Sequence, residues 1–404
     1  MRALRTASFR QEIESELKDN ILGFWMRQAP DQEFGGFRGR VSNQLIADPY
    51  AEKGIILNSR ILWTFSRAFR VYGENSYGEL ARRAYDYIDR NFLDKEFGGV
   101  FWTVDHLGRP SDTRKRTYAQ AFAIYGLSEY FLATEERRAL ETTISLFSLL
   151  EGRAKDHDRG GYLETFERNW ALAEDQRLSP VDQDDRKSMN SHLHVLEAYS
   201  NLLRVSDSDQ IRKAVRETLM LFINHIVDPD TEHFNLFFDE HWNVKSSRIS
   251  FGHDIEGSWL LSEAANLIGD AELCGKVVEL SIAISKAVYE EGLDSDGALF
   301  NEANPSGITD YNKDWWPQAE GVVGFLNTYQ LTDDPRFLDA AKACWEFIKQ
   351  KMIDRSNGEW YWTVSRWGAV DDSKPKIDQW KCPYHNGRMC FEAIARLDSL
   401  EGSI

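Results

Sequence analysis

Four histidines stand close to the predicted starts of apolar helices, and imidazole suits proton transfer at neutral pH. They are His192, His194, His253 and His385. The unperturbed pKa of histidine is about 6.5, so the side chain can take up and release a proton near pH 7. If those helices all begin at one end of the fold, the four side chains line one opening. Such a group suits the removal and return of a proton at a carbon atom.

The other five histidines fall in predicted turns or at the ends of predicted outer helices. We expect them to be exposed to solvent, and they are His106, His157, His225, His233 and His241.

A carboxylate stands beside one of the four histidines. His253 and Glu256 are three residues apart, so both lie on one face of a helix. A carboxylate there can fix the imidazole tautomer and raise its basicity, as in catalytic triads. A simple surface ion pair is the alternative.

The segment from Trp380 to Arg388 is predicted to open the last apolar helix and contains His385. Pro383 suits the first position of such a helix. Trp380 and His385 would then lie near the opening. A packed tryptophan and a capping histidine would give the same pattern.

Aromatic and polar residues at the same predicted level suit a sugar ligand. Trp315 and Trp316 precede a helix, and one indole should face inward, where its flat face would match the C–H face of a sugar. A pair of core tryptophans is the alternative. Arg60 lies inside an apolar helix and needs an acceptor, either a substrate oxygen or an internal carboxylate. Further hydrogen-bonding candidates are Tyr118, Asp182, Asn190 and Glu302.

The composition excludes several classes of protein. The chain has 404 residues with 48 Lys and Arg against 65 Asp and Glu, a net charge of −17. Nucleic acids and anionic membrane surfaces prefer a positive face, so neither is an expected partner. The sequence has no apolar run long enough to span a bilayer, and its start lacks the apolar segment of a signal peptide. Four scattered cysteines do not suggest a disulfide framework, so we expect a reduced, cytoplasmic protein.

The sequence contains no motif for a cofactor or a metal. Phosphate-loop, H-E-x-x-H and C-x-x-C patterns are missing from it. His192 and His194 are two residues apart and would point to different faces of a helix. The spacing of Cys382 and Cys390 does not match a zinc site. We therefore expect neither a cofactor nor a metal.

A short motif of a turn followed by an aromatic residue recurs six times along the chain. Its copies centre on Gly36, Gly99, Gly161, Asn235, Ala298 and Glu359, with steps of 63, 62, 74, 63 and 61 residues. The longer step contains a charged insertion, 169–187, which we expect to form a loop over one opening. Glycine in these turns supplies positive φ, so short β-hairpins are predicted.

Each repeat also contains two helical patterns. The first, such as 52–72, is apolar around most of its circumference, and the second, such as 77–91, has one charged face. A helix buried on all sides belongs inside, and one with a polar face belongs outside. Six such pairs predict an (α/α)6 barrel of six inner and six outer helices, with the hairpins at one mouth. An open solenoid is the alternative, and one domain over residues 1–404 is expected.

Several longer strings resemble the N-acylglucosamine 2-epimerase superfamily, most closely its cellobiose 2-epimerase branch. The strings cover nearly the full chain from about Phe24 to Leu397, and they are Leu57–Phe65, Tyr118–Gln120, Met189–Tyr199, Phe251–Glu256, Trp315–Glu320 and Pro383–Arg388. Cys382, where glycine is expected, and Gly257, where alanine is commoner, depart from the family pattern.

The resemblance implies an (α/α)6 barrel and a 2-epimerase that needs no metal or nucleotide. It would interconvert the gluco and manno configurations at C2 of the reducing-end sugar of β-1,4-linked disaccharides. His253 and His385 would be the two bases, with Glu256 orienting His253. Residues that would hold or contact the sugar are His194, Arg60, Tyr118, Asn190, Trp316 and Trp380.

Other functions stay open from the sequence. A mannose 2-epimerase or mannose isomerase of the same superfamily is a close alternative. A glycoside hydrolase would need two carboxylates across the scissile bond, for which Glu302 and Glu320 are the candidates. A non-catalytic carbohydrate-binding protein would explain the aromatic residues but not the grouped histidines. The expected partner is a small sugar, and the expected state is a monomer or a weak homo-oligomer.

Overall fold

The computed structural model describes residues 2–180 and 182–402, most of which are helical. The α-helices of this part of the chain are α1 (Arg2–Ser15), α2 (Gly23–Gln28), α3 (Ile55–Tyr72), α4 (Asn75–Tyr87), α5 (Thr117–Thr134), α6 (Arg137–Leu149), α7 (Met189–Val205), α8 (Asp209–Leu221), α9 (Phe251–Ile268), α10 (Ala271–Ala287), α11 (Trp315–Thr332), α12 (Pro335–Phe347) and α13 (Tyr384–Gly402). A π-helical segment, Glu16–Leu22, joins α1 to α2, so these two helices form one continuous rod.

Six helices form a closed inner ring. Each of α3, α5, α7, α9, α11 and α13 packs against the next, and α13 packs back against α3. The inner helices are buried on nearly all sides; in α5, every residue from Thr117 to Tyr130 is buried. The outer layer is α1–α2, α4, α6, α8, α10 and α12, and α1 packs against α13. The predicted (α/α)6 barrel is confirmed, and the open solenoid is wrong because the last inner helix contacts both the first inner helix and the first outer helix.

The predicted helices agree with the structure to within a few residues, apart from two boundaries. The sequence pattern predicted the first outer helix at 15–26, but it begins at Arg2, and α13 begins only at Tyr384. Trp380 lies before α13, because the carboxylate of Asp378 accepts the backbone N–H groups of Trp380 and Lys381, both at 2.8 Å, and so holds a turn there.

Five outer helices end in a single π-helical turn, which widens the helix before the chain leaves it. These turns are Ile88–Phe92, Leu150–Ala154, Phe222–Ile226, Val288–Gly292 and Ile348–Met352. The sequence pattern predicted the helices but not this widening.

All six predicted turns form short hairpins at the end of the barrel where the inner helices begin. Each is closed by one antiparallel bridge, for example Leu93 with Val100. Gly99 at φ +78° and Gly161 at φ +76° supply the left-handed backbone that these turns require. In the fourth copy the bridge joins Val227 to Phe234, so His233 occupies the position that Gly99 has in the second copy. The sequence pattern centred this copy on Asn235, two residues later.

Short strands link neighbouring repeats around this mouth. They are β1 (Lys53–Gly54), β2 (Thr103–Val104), β3 (Lys115–Arg116), β4 (Thr165–Phe166), β5 (Lys187–Ser188), β6 (Phe237–Phe238), β7 (Ile249–Ser250), β8 (Glu302–Asn304), β9 (Gly307–Asp310), β10 (Lys313–Asp314) and β11 (Thr363–Val364). The antiparallel pairs are β1–β2, β3–β4, β5–β6, β7–β8, β8–β9 and β10–β11. A bridge between Val41 and Ile377 joins the last repeat to the first, so the rim is closed as well.

A buried lysine anchors the hairpin in five of the six repeats. Its ammonium pairs with the first aspartate of the turn, at 2.7 to 3.0 Å, and the pairs are Lys53–Asp31, Lys115–Asp94, Lys187–Asp156, Lys313–Asp294 and Lys376–Asp354. The fourth repeat has Ile249 at the strand position of the lysine. There His233, predicted to be exposed, is buried, with Nδ1 2.8 Å from the Asp254 carboxylate.

None of the described helices is long and apolar enough to cross a membrane.

Candidate active site

A cavity of about 190 Å³ opens at the mouth where the inner helices begin. It contains nine of the twelve site residues predicted from the sequence, and its lining residues are Arg60, Tyr118, Asn190, His194, His253, Glu256, Asp314, Trp315, Trp316, Trp362, Trp380 and His385. The lining comes from all six inner helices and from the loops that precede them. The structure therefore places these residues near the starts of the inner helices, as the sequence predicted.

His385 lies in the first turn of α13 and is held by a carboxylate from α11. Its Nδ1 is 2.7 Å from Oε1 of Glu320 and 3.9 Å from Oε1 of Glu256. Burial lowers the pKa of His385 well below its usual value, and the nearby Arg60 and Arg388 act in the same direction. The imidazole is therefore neutral at pH 7 and, with Nδ1 facing a carboxylate, has Nε2 available to accept a proton.

His253 lies in the first turn of α9 and has a neutral partner. Its Nδ1 is 2.7 Å from Oγ of Ser250, the residue that precedes the helix. Burial lowers the pKa of His253 to about 3, and the nearby His194 and Arg248 act in the same direction. His253 is thus a second neutral imidazole at the same cavity, on a different helix from His385.

The predicted pairing of Glu256 with His253 is wrong. Glu256 is one helical turn deeper than His253, and its Oε1 accepts a hydrogen bond from Arg388 of α13. Its Oε2 has no partner among the described residues, and Glu256 lines the cavity. Burial and the neighbouring Glu320 raise the pKa of Glu256 to about 7. The carboxyl group can therefore donate or accept at the cavity.

His194 belongs to the site, and its neighbour His192 does not. His194 Nδ1 is 2.9 Å from Oε2 of Glu197, one turn further along α7. His192 points away, as its spacing predicted: its Nε2 accepts the backbone N–H of Tyr162 at 2.9 Å. Burial lowers the pKa of His192 to about 4, which suits this role as an uncharged acceptor in the third hairpin.

One buried guanidinium connects the carboxylates behind the histidines. Arg388 is 1% exposed and donates to Glu197, to Glu256 and, at 2.6 Å, to Oε1 of Glu320. Its guanidinium also lies 4.3 Å from the centre of the Tyr384 ring. Arg388 does not line the cavity, so it reaches the site only through these groups.

Arg60 brings a second cation to the cavity wall. It donates to the hydroxyl of Tyr118 at 2.9 Å and to the carbonyl oxygen of Trp380 at 3.4 Å. Its acceptors in the structure are thus a hydroxyl and a carbonyl, and no ion pair joins it to a carboxylate of the described residues. Nε of Arg60 and Oδ1 of Asn190 are buried without a partner there. Both groups are free to bind an oxygen-rich ligand.

The two residues that depart from the family pattern, Cys382 and Gly257, each have a close neighbour in the structure. Sγ of Cys382 lies 3.7 Å from a guanidinium nitrogen of Arg60, so it is part of the same wall. A Cβ on Gly257 would come within 2.3 Å of the ring of Phe234, so glycine makes room for that ring.

Trp316 lies between the two neutral histidines. Its ring centre is 4.7 Å from that of His253 and 5.5 Å from that of His385. Trp380 lies across the cavity, with its ring centre 6.0 Å from that of Tyr118. Trp315 is only 3% exposed and packs edge-on against Trp362. Trp316 and Trp380, the two indoles predicted to contact a sugar, therefore line the cavity, together with Trp362.

A smaller cavity of about 50 Å³ adjoins the first and shares Asn190 and His253 with it. The predicted insertion forms one wall of this cavity. Asp182 lines it, with Oδ2 accepting hydrogen bonds from N and Oγ of Ser179 at 2.9 and 2.7 Å. Arg248 also lines this cavity.

Two predicted substrate-binding carboxylates do not line either cavity. Glu320 is 1% exposed behind His385, and it accepts hydrogen bonds from Arg388 and from Nε1 of Trp259 at 3.1 Å. It lies one turn deeper in α11 than Trp316 and so orients His385 instead of contacting a ligand. Glu302 lies on β8 and pairs with Arg248 at 3.5 Å. It can reach a ligand only at the rim.

Glu256, Glu320 and His385 bring three possible metal-ligating atoms within 4.8 Å of one another. The guanidinium of Arg388 already donates to both carboxylates. A cation between them would face this fixed positive charge, so the donor set does not fit a metal ion.

Sequence reasoning missed Arg388 and Glu197. Both are ionic residues inside apolar inner helices, the pattern that drew attention to Arg60. Applying that pattern to every inner helix would have identified them, although not their partners.

Residues 35–385 match the family described as N-acylglucosamine 2-epimerase (GlcNAc 2-epimerase). A cellobiose 2-epimerase from Bacteroides fragilis is 45% identical over 388 residues, 95% of this chain and 98% of that protein. A cellobiose 2-epimerase from Dictyoglomus turgidum is 40% identical over 389 residues, 96% of this chain and 98% of that protein.

Solved structures agree with the fold. The cellobiose 2-epimerase from Spirochaeta thermophila superposes with a TM-score of 0.93 at 37% identity, and 98% of each chain is covered. A D-mannose isomerase superposes with a TM-score of 0.84 at 18% identity over 95% of this chain and 97% of the other, which supports the fold alone. Given the match over most of its length and these relatives, the chain belongs to the N-acylglucosamine 2-epimerase family.

Proposed function

We propose that this protein is a 2-epimerase acting on the reducing-end sugar of β-1,4-linked disaccharides, converting cellobiose to glucosyl-mannose and back. The observation that carries the proposal is the pair of neutral histidines, His253 and His385, on two helices that face one cavity on either side of Trp316. Relatives named cellobiose 2-epimerase, similar over almost their whole length, support the same substrate class.

The chemistry needs two bases because C2 changes configuration. C2–H of an open-chain aldose is weakly acidic, and a neutral imidazole Nε2 can accept its proton to leave an enediolate. The second imidazole, once it has taken up a proton from solvent, then donates that proton to the opposite face of C2, and the first base releases its own proton to solvent. Ser250 and Glu320 hold Nδ1 of the two histidines, which leaves each Nε2 for the sugar. The carbon chain must turn between the two transfers.

Arg60 would stabilise the enediolate, and Nε2 of His194 would accept a hydrogen bond from a sugar hydroxyl. Negative charge develops on the oxygens of C1 and C2, and fixed donors in a water-poor cavity stabilise it. Arg60 is a permanent cation without a carboxylate partner, and Tyr118 holds its guanidinium in place. Asn190 and Glu256 each present an unpartnered oxygen to the remaining hydroxyls.

The adjoining cavity favours a disaccharide over a monosaccharide. It extends from His253 and Asn190 toward Asp182 and Arg248, beyond the space that the reducing-end sugar would fill. The second sugar would lie there, with Asp182 as a hydroxyl acceptor. A mannose 2-epimerase or mannose isomerase would leave this extension unused.

A glycoside hydrolase is less supported by the geometry. Its two candidate carboxylates, Glu302 and Glu320, cannot flank one bond, since Glu320 lies behind His385 and Glu302 is paired with Arg248 at the rim.

The test is to incubate the protein with cellobiose in D2O and to follow the reducing-end C2 by NMR. The expected product has the manno configuration and carries deuterium at C2. Release of glucose would indicate hydrolysis, a ketose would indicate an isomerase, and unchanged cellobiose with measurable binding would indicate a carbohydrate-binding protein. Any of these three results would contradict the proposal.

Other properties remain predictions from the sequence. They are the single catalytic domain, the monomeric or weakly oligomeric state, the cytoplasmic location, the independence from cofactors and metals, and the lack of a nucleic-acid partner. Size-exclusion chromatography with light scattering would test the oligomeric state, and dialysis against a chelator before the D2O assay would test the metal independence.

A further inference from the structure

Behind the cavity, three carboxylates surround a single guanidinium. Glu197 comes from α7, Glu256 from α9 and Glu320 from α11, and all three accept hydrogen bonds from Arg388 of α13. Each of the four side chains is at most 3% exposed. One cation cannot neutralise three buried carboxylates, so protonation within this cluster depends strongly on Arg388.

Two of these carboxylates also bind the histidines of the site. Glu197 is 2.9 Å from Nδ1 of His194, and Glu320 is 2.7 Å from Nδ1 of His385. A carboxylate can only accept, so Nδ1 must carry the hydrogen and Nε2 keeps its lone pair toward the cavity. If the carboxyl group took up a proton, it could donate to Nδ1, and the hydrogen on imidazole would move to Nε2.

We propose that Arg388 is a positioning residue that keeps His194 and His385 in the Nδ1–H tautomer, and this inference rests on the proposed function. It does so by holding Glu197 and Glu320 as carboxylates in a place where burial alone would favour their protonation. Arg388 acts without touching the substrate, since it does not line the cavity.

The charges around the cluster agree with this role. Burial raises the pKa of Glu320, and Arg388 is the largest influence in the opposite direction. Burial also acts to raise the pKa of Glu197, but Arg388 and His194 outweigh it and hold that pKa at about 2. The titratable groups that face Arg388 are Glu197 from α7, Glu256 from α9, Glu320 from α11, Tyr384 and His385 from α13, and Tyr125 from α5. Arg60 from α3 lies against the Tyr384 ring, 4.8 Å from its centre.

These charges determine in which direction the loss of Arg388 shifts the pH profile of the reaction. Without Arg388, the pair of His385 and Glu320 takes up its next proton at a higher pH. That proton either converts the imidazole to imidazolium or binds to Glu320, in which case the imidazole hydrogen moves from Nδ1 to Nε2. In both states Nε2 carries a hydrogen and cannot act as a base. The acidic limb of the pH profile of kcat should therefore move to higher pH, while KM changes little.

The experiment compares Arg388→Met, Arg388→Lys and a control, Arg396→Met, in the D2O assay from pH 5 to pH 9.5. Arg396 lies two turns further along α13, bonded to Asn327 and Gln330, outside the site. For Arg388→Met we expect a loss in kcat of about 100-fold at pH 7, the usual contribution of a general base, and partial recovery toward pH 9.5. Arg388→Lys should restore the wild-type pH limb, because the charge returns, and Arg396→Met should keep the wild-type profile.

A purely structural role would give a different result. It would lower kcat equally at every pH, or raise KM, and Arg388→Lys would not move the limb back. Any of these would overturn the inference. If Arg388→Met does not fold, NMR spectra of the wild-type protein with 15N-labelled histidine decide instead: Nδ1–H signals are expected for His194 and His385, and an Nε2–H signal for His385 would overturn it. Wild-type protein that leaves cellobiose unchanged would refute the proposed function, and the 15N spectra would still test the tautomers.

Discussion

Each of the three histidines at the cavity has a different partner on Nδ1. His385 faces Glu320, His194 faces Glu197 and His253 faces the hydroxyl of Ser250. A carboxylate partner stabilises imidazolium more than a hydroxyl does, so His253 is the weaker base and the stronger acid of the proposed pair. The two proton transfers are thus chemically unequal even though their products differ only in configuration.

Replacing one base should separate proton exchange from epimerisation. We expect His253→Gln and His385→Gln each to lower epimerisation by at least about 100-fold, the contribution of one general base. The remaining base can still remove and return a proton on its own face of C2. In D2O, one variant should therefore exchange C2–H of cellobiose and the other that of glucosyl-mannose, each without change of configuration.

The readout is the loss of the C2–H signal in proton NMR, and His157→Gln in an exposed turn is the matched control. Near-normal epimerisation by either variant would remove that histidine from the mechanism.

His233 is a titratable residue whose ion pair with Asp254 connects the fourth hairpin to α9, the helix that carries His253. Burial acts to lower the pKa of His233, but the ion pairs with Asp254 and Glu291 outweigh burial and raise that pKa above 6.5. Because the folded protein binds this proton more tightly than the unfolded chain, the stabilisation is fully present below about pH 6.5, the unfolded pKa, and is lost as pH rises through the folded pKa.

His233→Gln should therefore lower the free energy of unfolding most near pH 6 and progressively less toward pH 10. Urea unfolding of wild type and variant at several pH values measures this difference. A difference that stays constant or grows with pH would show that the ion pair is not the cause.

At the scale of the elements, the buried lysines explain how short strands fix the helix starts. Lys53, two residues before α3, binds both the Asp31 carboxylate at 2.7 Å and the carbonyl oxygen of Gly35 at 2.7 Å. Asp31 in turn accepts the backbone N–H groups of Glu33 and Phe34. One ion pair thereby joins the hairpin, the strand and the first turn of an inner helix.

Removing one partner of this pair should be more harmful than removing both. Lys53→Met leaves an uncompensated buried carboxylate, for which a loss of about 3–5 kcal/mol is expected. Lys53→Met combined with Asp31→Asn keeps the amide oxygen that caps the turn and removes the charge, so it should recover part of that loss. Thermal and urea unfolding of the three proteins provide the measurement. A double variant less stable than Lys53→Met would contradict this account of the anchor.

At the scale of the whole molecule, sequence periodicity predicted the barrel because its signals are local. Glycine turns such as Gly98–Gly99 recur in five of the six repeats and apolar helices such as α5 recur in all six, so spacing alone shows six units. The cavity lining followed from this, since residues at helix starts must meet at one mouth.

The partners within the site could not be predicted in this way. Spacing of three residues suggested that Glu256 would serve His253, but Glu256 faces Arg388, 132 residues away. Glu320 likewise serves His385, 65 residues away. Such pairs depend on how each helix is rotated about its own axis within the ring. A helix that is apolar on all sides can be buried in any rotation, so its sequence pattern does not determine which residues meet.

Closure of the ring brings the start of α1 close to the end of α13 among the described residues. α1 packs against α13, and Arg10 is joined to Asp398 by an ion pair. These helices run in opposite directions, so both lead from this ion pair toward the same end of the barrel. At about 1.5 Å per residue, the eight residues from Arg10 back to Arg2 cover about 12 Å, and the four residues from Asp398 to Gly402 cover about 6 Å. A short flexible linker can therefore join the ends without strain.

A circular permutant with joined ends and a new start in the exposed turn between α7 and α8, at Ser208, should fold and epimerise like the natural chain. That turn lies at the end of the barrel opposite the cavity, and cutting it leaves every contact between inner helices intact. A second permutant that starts at Gln183, in the insertion beside Asp182, should fold equally well but bind disaccharide more weakly, because that loop lines the adjoining cavity. Circular dichroism, thermal unfolding and the D2O assay compare both with the natural chain. Failure of the Ser208 permutant to fold, with the Gln183 permutant folded, would show that the α7–α8 connection is itself needed for the ring to close.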